Sequence, residues 1–132
     1  MAKVFISYTD NDHQYVEKLK ASLQGLKVVG EGESVEASSQ DMMLKTIQGR
    51  LEASDAVVVF LSKQALASSG VMFELGAAQA LGKKILPIIL PDIDLDQLDF
   101  IDKDQVILDT RKLSLAETAK QIEELITADL SA

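Results

Sequence analysis

A chain of 132 residues with 47% apolar content fits one compact domain with a real core, and a net charge of −8 works against electrostatic binding to nucleic acid or anionic membranes. With no cysteine and a single histidine, a disulfide framework, a thiolate metal site and a multi-histidine cluster are all excluded, and no metal is expected. The apolar runs stop well short of a membrane span, so the expectation is a cytoplasmic domain without signal or anchor segment.

The segment Lys3 to Tyr8 (KVFISY) is short, β-branched and aromatic, which predicts a first strand. After the polar break Thr9-Asp10-Asn11-Asp12, Val16, Leu19, Lys20 and Leu23 recur at helical spacing. The alternation continues with Leu26 to Val29 as strand, Met42 to Ala53 as helix and Asp55 to Leu61 as strand. Val71 to Leu81 then reads as helix, Ile85 to Leu90 and Gln105 to Asp109 as strands, and Leu115 to Leu130 as the closing helix. The runs AVVVFL and ILPIIL are continuously apolar, as strands covered on both faces by helices must be. Strands alternating with helices predict an α/β domain spanning residues 1–132: a flavodoxin-like, doubly wound, five-stranded parallel sheet of order 2-1-3-4-5 with helices on both faces.

In such sheets ligands bind beyond the carboxyl ends of the strands, where strand order reverses, here between the first and third strands. Ser7, Tyr8, Thr9 and Asp10 follow the first strand, Ser62 follows the third, and the helix starting near Gly70 points its N-terminus at the same crevice. That helix carries Glu74. Between Ser54 and Pro91 the only acids are Asp55 and Glu74, and Glu74 is surrounded by Val71, Met72, Phe73, Leu75, Ala77 and Ala78. No cation stands one helical turn away to pair with it, so its burial would be costly. Two accounts stay open: a functional carboxylate in the crevice, or a water-facing acid near a helix start, where the dipole favours negative charge. Gly76, Ala77, Ala78 and Ala80 add a small-residue face that suits close packing, room for a ligand, or both.

Phe5-Ile6-Ser7-Tyr8 with Asp10 and Asp12 resembles the opening of bacterial TIR domains. Ser54 to Ser62 is similar to their third strand, Ser69 with Glu74-Leu75-Gly76-Ala77-Ala78 to their S-x-W-x-x-x-E-L-x-x-A segment, and Gly82-Lys83-Lys84-Ile85-Leu86-Pro87-Ile88 to their G-K-x-I-x-P-I strand. The resemblance implies a domain that cleaves NAD at the nicotinamide–ribose bond, as a glycohydrolase or ADP-ribosyl cyclase, in bacterial immune signalling or antiphage defence. The alternative it implies is a catalytically silent adaptor that self-associates or binds other TIR domains. It makes Glu74 the catalytic residue, lines the pocket with Tyr8, Thr9 and Asp10, and calls for no cofactor beyond NAD as substrate; Ser7 and Ser62 of the crevice and Ser69 of the glutamate segment join them as candidate substrate contacts. Tyr8 fits equally as a stacking or hydrogen-bonding group and as a strand-end core aromatic, and Ser7 as a ligand hydroxyl or a turn cap. A nucleoside deoxyribosyltransferase, which also sets a carboxylate against a ribose, is a third reading.

Gly70 stands where the family has tryptophan. The stretch Gly30 to Asp41, in the place of the family's BB loop, carries Glu31, Glu33, Glu36 and Asp41 with no basic residue, and Gln40 and Met43 stand where a glycine and an aromatic are usual. Gly30-Glu31-Gly32 is not a dinucleotide fingerprint, because Val35 occupies the third glycine position. A phosphoacceptor reading fails because the third strand ends in Leu61-Ser62 while Asp55 begins it. Asp92-Ile93-Asp94-Leu95-Asp96 alternates like a calcium loop but has Gln97 at the glycine position and Lys103 at the glutamate position, so a solvated loop pinned by Ile93, Leu95 and Leu98 is expected. His13 reads as a surface residue.

Overall fold

The computed structural model describes residues 2–31, 40–98, 101 and 106–131. In chain order the elements are β1 (Ala2–Ser7), α1 (His13–Ser22), β2 (Leu26–Glu31), α2 (Gln40–Ala53), β3 (Ala56–Leu61), α3 (Lys63–Leu66), α4 (Ser69–Ala80), β4 (Lys84–Ile89), β5 (Leu108–Asp109) and α5 (Leu115–Ser131), with 3-10 turns at Asp10–Asp12 and Leu95–Gln97. The five strands form one sheet in the order β2-β1-β3-β4-β5, and every pairing is parallel. This is the α/β topology expected from the alternation of elements.

The apolar runs explain the layering. All of β3 is buried, and its residues divide by parity: Ala56, Val58 and Phe60 join a cluster with Val16 and Leu19 of α1 and Ile122 and Ile126 of α5. Val57, Val59 and Leu61 join the other, with Leu51 of α2 and Val71, Leu75 and Ala78 of α4. Alternate side chains of a strand point to opposite faces, so continuous hydrophobicity is consistent only with helices on both sides. Each fully buried valine or leucine contributes about 1.5–3 kcal/mol relative to exposure.

Local chemistry sets the ends. The Ser68 side chain accepts from the Val71 N–H at 3.2 Å and starts α4, while Gly82, at φ 68°, ends it. Its N–H donates to the Gln79 carbonyl at 3.1 Å and that of Lys83 to Ala78 at 3.0 Å, a Schellman arrangement that needs a residue tolerant of positive φ. Lys83 also donates through Nζ to the carbonyls of Glu52 and Ser54 at 3.1 and 2.9 Å, satisfying the C-terminus of α2. At α5, Ser114 and Glu117 form a reciprocal capping box, each backbone N–H bound to the other's side chain at 3.1 Å. Between Val4 and Phe5 the β1–β2 register slips by one residue, so that Phe5 faces Gly30. A Cβ at Gly30 would lie 2.8 Å from the Phe5 ring and 2.9 Å from Arg50 Cδ, which gives this glycine a packing role.

The fifth strand is shorter than expected. Pairing begins at Leu108, opposite Ile88; Val106 and Ile107 are exposed, and Gln105 lies outside the described residues. The helix α3 was not expected, since four residues are too few for a periodic signal. The Asp92–Asp96 stretch is indeed held by buried Ile93 and Leu98, while the side chain of Leu95 and residue Lys103 lie outside the described set. Most of the acidic stretch 30–41 also lies outside it.

Candidate active site

The parity of β1 decides what can meet. Val4, Ile6 and Tyr8 face the α1–α5 layer, and Phe5 and Ser7 face the α2–α4 layer. In α4, Val71, Glu74, Leu75 and Ala78 recur at helical spacing, and all four are buried against the sheet. Glu74 thus occupies a core position of an apolar stripe and is 3% exposed, which removes the water-facing account. The fully buried Ser7 hydroxyl donates to Glu74 Oε1 at 2.7 Å. That bond offsets part of the cost of desolvating the carboxyl group and ties it to the carboxyl end of β1.

A second polar group joins β1 to β3. The Asp12 side chain accepts from Thr9 Oγ1 at 3.1 Å and from Ser62 Oγ at 2.7 Å. The Ser62 oxygen also accepts the Ala65 N–H at 3.2 Å, capping α3. Ser7, Thr9 and Ser62 are therefore all buried at the switch point, but Thr9 and Ser62 are bound to Asp12 rather than to Glu74. Asp12 is a site residue that the sequence reading did not place in the crevice, and its one-turn spacing from Thr9 is the signal that points to it.

The structure separates the other candidates. Tyr8 lies on the opposite face of the sheet from Glu74, almost wholly buried, with its ring in the α1–α5 core. Its hydroxyl donates to Glu31 Oε2 at 3.2 Å and lies 3.4 Å from His13 Nδ1. Glu31 in turn binds Lys20, which also pairs with Glu17 at 2.8 Å. Burial pulls the Lys20 ammonium down, but its bonds to Glu17 and Glu31 outweigh this and hold it above the usual lysine range. Asp10 is exposed in the 3-10 turn, and Ser69 is exposed in the first turn of α4, where Ser68 provides the cap.

Gly70 is exposed, and a Cβ there would meet nothing nearer than Ser68 Oγ at 3.7 Å. Of the small residues after Glu74, Ala78 packs on the sheet, whereas Gly76 and Ala80 are exposed. Ala77 and Ala80, with Ile47, Gln48, Phe73 and Leu81, line an apolar groove of about 300 Å³ between α2 and α4. No helix among the described residues is long and apolar enough to cross a membrane. No described group of three or more histidine or acidic side chains is arranged to hold a metal ion.

The family model described as TIR domain matches residues 4–126, from β1 into α5. The chain belongs to the TIR domain family. Among solved structures, this TIR domain is similar to that of a Toll-related receptor from Hydra magnipapillata, with 16% identity, TM-score 0.61 and coverage of 99% of this chain and 96% of that one. It also shares its fold with a CMP N-glycosidase from Clostridium botulinum, at 19% identity and TM-score 0.62, covering 92% of this chain and 98% of that one. A 2-desoxiribosyltransferase from Leishmania mexicana matches at 26% identity and TM-score 0.52 over 67% of this chain, which spans 65% of that enzyme's length. Among curated proteins, none matches.

Proposed function

We propose that this TIR domain cleaves NAD at the nicotinamide–ribose bond, with Glu74 as the catalytic carboxylate. The observation that carries the proposal is a carboxylate spent inside an apolar helix stripe and aimed, through Ser7, at the switch point of the sheet. Stability alone does not call for an acid there, because a buried carboxylate costs more than the leucine or alanine that neighbouring stripe positions hold.

The chemistry suits one carboxylate. As the C1′–N bond breaks, its electron pair passes to the ring nitrogen, nicotinamide leaves neutral, and positive charge develops on the ribose as in glycoside hydrolysis. Glu74 opposes that charge from a desolvated position, where electrostatic stabilisation is strong. The cationic ring is already an activated leaving group, so no general acid is required. Water then adds at C1′ and loses a proton to solvent, giving ADP-ribose; a nucleophile within the substrate gives the cyclic product instead. The proposal includes cytoplasmic action in immune or antiphage signalling, with clustering of TIR domains as the activating event.

Nicotinamide release from NAD at high protein concentration, with and without an assembly-promoting condition, tests this. Glu74→Gln should lower turnover by at least about 10²-fold. Absence of turnover in every condition, or an unchanged rate in the variant, refutes it. Two observations favour other readings. The 26% identity to the desoxiribosyltransferase favours base exchange on deoxynucleosides, which transfer of a deoxyribose to a second base would reveal. Gly70 in the tryptophan position favours a silent adaptor, which would self-associate and leave NAD intact.

A further inference from the structure

We propose that the cavity beyond the carboxyl end of β5 binds a phosphate of the nucleotide whose ribose faces Glu74, making Lys112 and Arg111 the determinants that select a phosphorylated substrate over a nucleoside. This rests on the reading of Glu74 as the ribose-facing carboxylate. The cavity measures about 600 Å³ and is lined by Asp109, Arg111 and Lys112, a volume within the usual range of ligand sites. Because all strands are parallel, it lies at the same carboxyl end of the sheet as the Ser7–Glu74 pair. From β1 to β5 there are three strand spacings, about 14 Å. The long Lys112 side chain reaches back over part of that distance and the diphosphate of a nucleotide covers the rest, where a nucleoside has no anionic group to offer.

Charge along this edge narrows the choice. After β1 come Asp10 and Asp12, and after β4 come Asp92, Asp94 and Asp96, so most of the edge repels an anion. The described cations that follow strand ends are Lys63 after β3 and Arg111 and Lys112 after β5, and the latter two line the cavity. Asp109 clamps Arg111: Nε donates to both carboxylate oxygens at 3.0 Å and Nη2 to Oδ2 at 2.5 Å. The clamp fixes the guanidinium plane and leaves Nη1 for an incoming oxygen. The clamped pair is neutral overall and Asp94 adds a negative field, so the attraction must come from Lys112, which is exposed and in none of the described ion pairs. A fixed fork beside an exposed ammonium suits a phosphate oxygen, and it compensates for the acidic surroundings nearer Glu74.

ADP and adenosine, titrated separately into the isotope-labelled full chain at low salt, test the site directly. ADP should move the amide signals of Thr110, Arg111 and Lys112 saturably and adenosine should not; added salt should weaken the response. Lys112→Glu should raise the ADP dissociation constant by at least about tenfold, and Lys112→Ala by a smaller factor. If ADP leaves these amides unmoved, or binds Lys112→Glu as it binds the native chain, the proposal is overturned. None of these readouts needs turnover. ADP binding here without nicotinamide release refutes the catalytic reading and keeps the phosphate site; nicotinamide release without an ADP response here does the reverse.

Discussion

Replacing Ser7 with alanine removes the donor that holds Glu74 Oε1 at 2.7 Å and leaves nearly everything else in place. Both side chains are buried, so the lost bond is not replaced cheaply by water. A charge-assisted bond of this kind contributes about 1.5–3 kcal/mol, and a middle value of about 2 kcal/mol is expected for Ser7→Ala. For a domain of this length that lowers the melting temperature by about 7 °C. Glu74→Gln keeps an acceptor for Ser7 but removes a buried charge, and should leave stability unchanged or raise it by about 1 kcal/mol. In that background Ser7→Ala should cost only about 1 kcal/mol, because a neutral bond replaces a charged one, giving a coupling of about 1 kcal/mol. Urea and thermal denaturation of the four proteins measure the cycle. If Ser7→Ala lies within about 0.3 kcal/mol of the native chain, the bond does not anchor the carboxylate. If Glu74→Gln instead destabilises by more than about 2 kcal/mol, Glu74 serves the fold and not a reaction. In the nicotinamide assay Ser7→Ala should reduce the rate about tenfold, the effect of a misplaced rather than missing carboxylate.

The hydrogen bonds of Arg111 hold the Asp109 carboxyl below its ordinary 3.8, and the Ser114 backbone N–H holds Glu117 below its ordinary 4.5. Both folded values are depressed, so their stabilisation is complete above the unfolded values and is lost as pH falls below about 4.5 through the folded ones; carboxyl NMR titration with midpoints at or above the ordinary values contradicts this, and Glu117→Gln should flatten the acid decline. A Cβ at Gly49 or Gly76 meets nothing within 4 Å, so Gly49→Ala and Gly76→Ala should each stabilise by about 0.5–1 kcal/mol. Gly82→Ala, at φ 68°, should destabilise by about 1 kcal/mol; chemical denaturation with the opposite ordering would contradict the assigned helix ends.

Two properties of the residues carried the fold. The runs AVVVFL and ILPIIL have no polar alternation, which only a sheet covered on both faces accommodates, and the helical repeats between strands supplied the covers. The Schellman glycine and the Ser114–Glu117 box, which the structure revealed, rest on contacts within a few residues. The short helix α3 was not legible, because a single turn has no period, and the true length of β5 depends on how far β4 extends beside it.

Glu74 was conspicuous by composition, as an acid among apolar neighbours, but sequence left it facing either water or the crevice. The tertiary structure decided this by docking the Val71, Leu75 and Ala78 stripe on the sheet, which carries Glu74 inward to Ser7. Tyr8 shows the same division. Alternation within β1 already sets Tyr8 and Ser7 on opposite faces, yet which face receives α4 depends on how the chain crosses from β3 to β4. Residue types thus determined the elements, their order and the one anomalous acid. The packing of distant segments determined which polar groups share the crevice, because a hydrogen bond between residues 7 and 74 has no local signal in the chain.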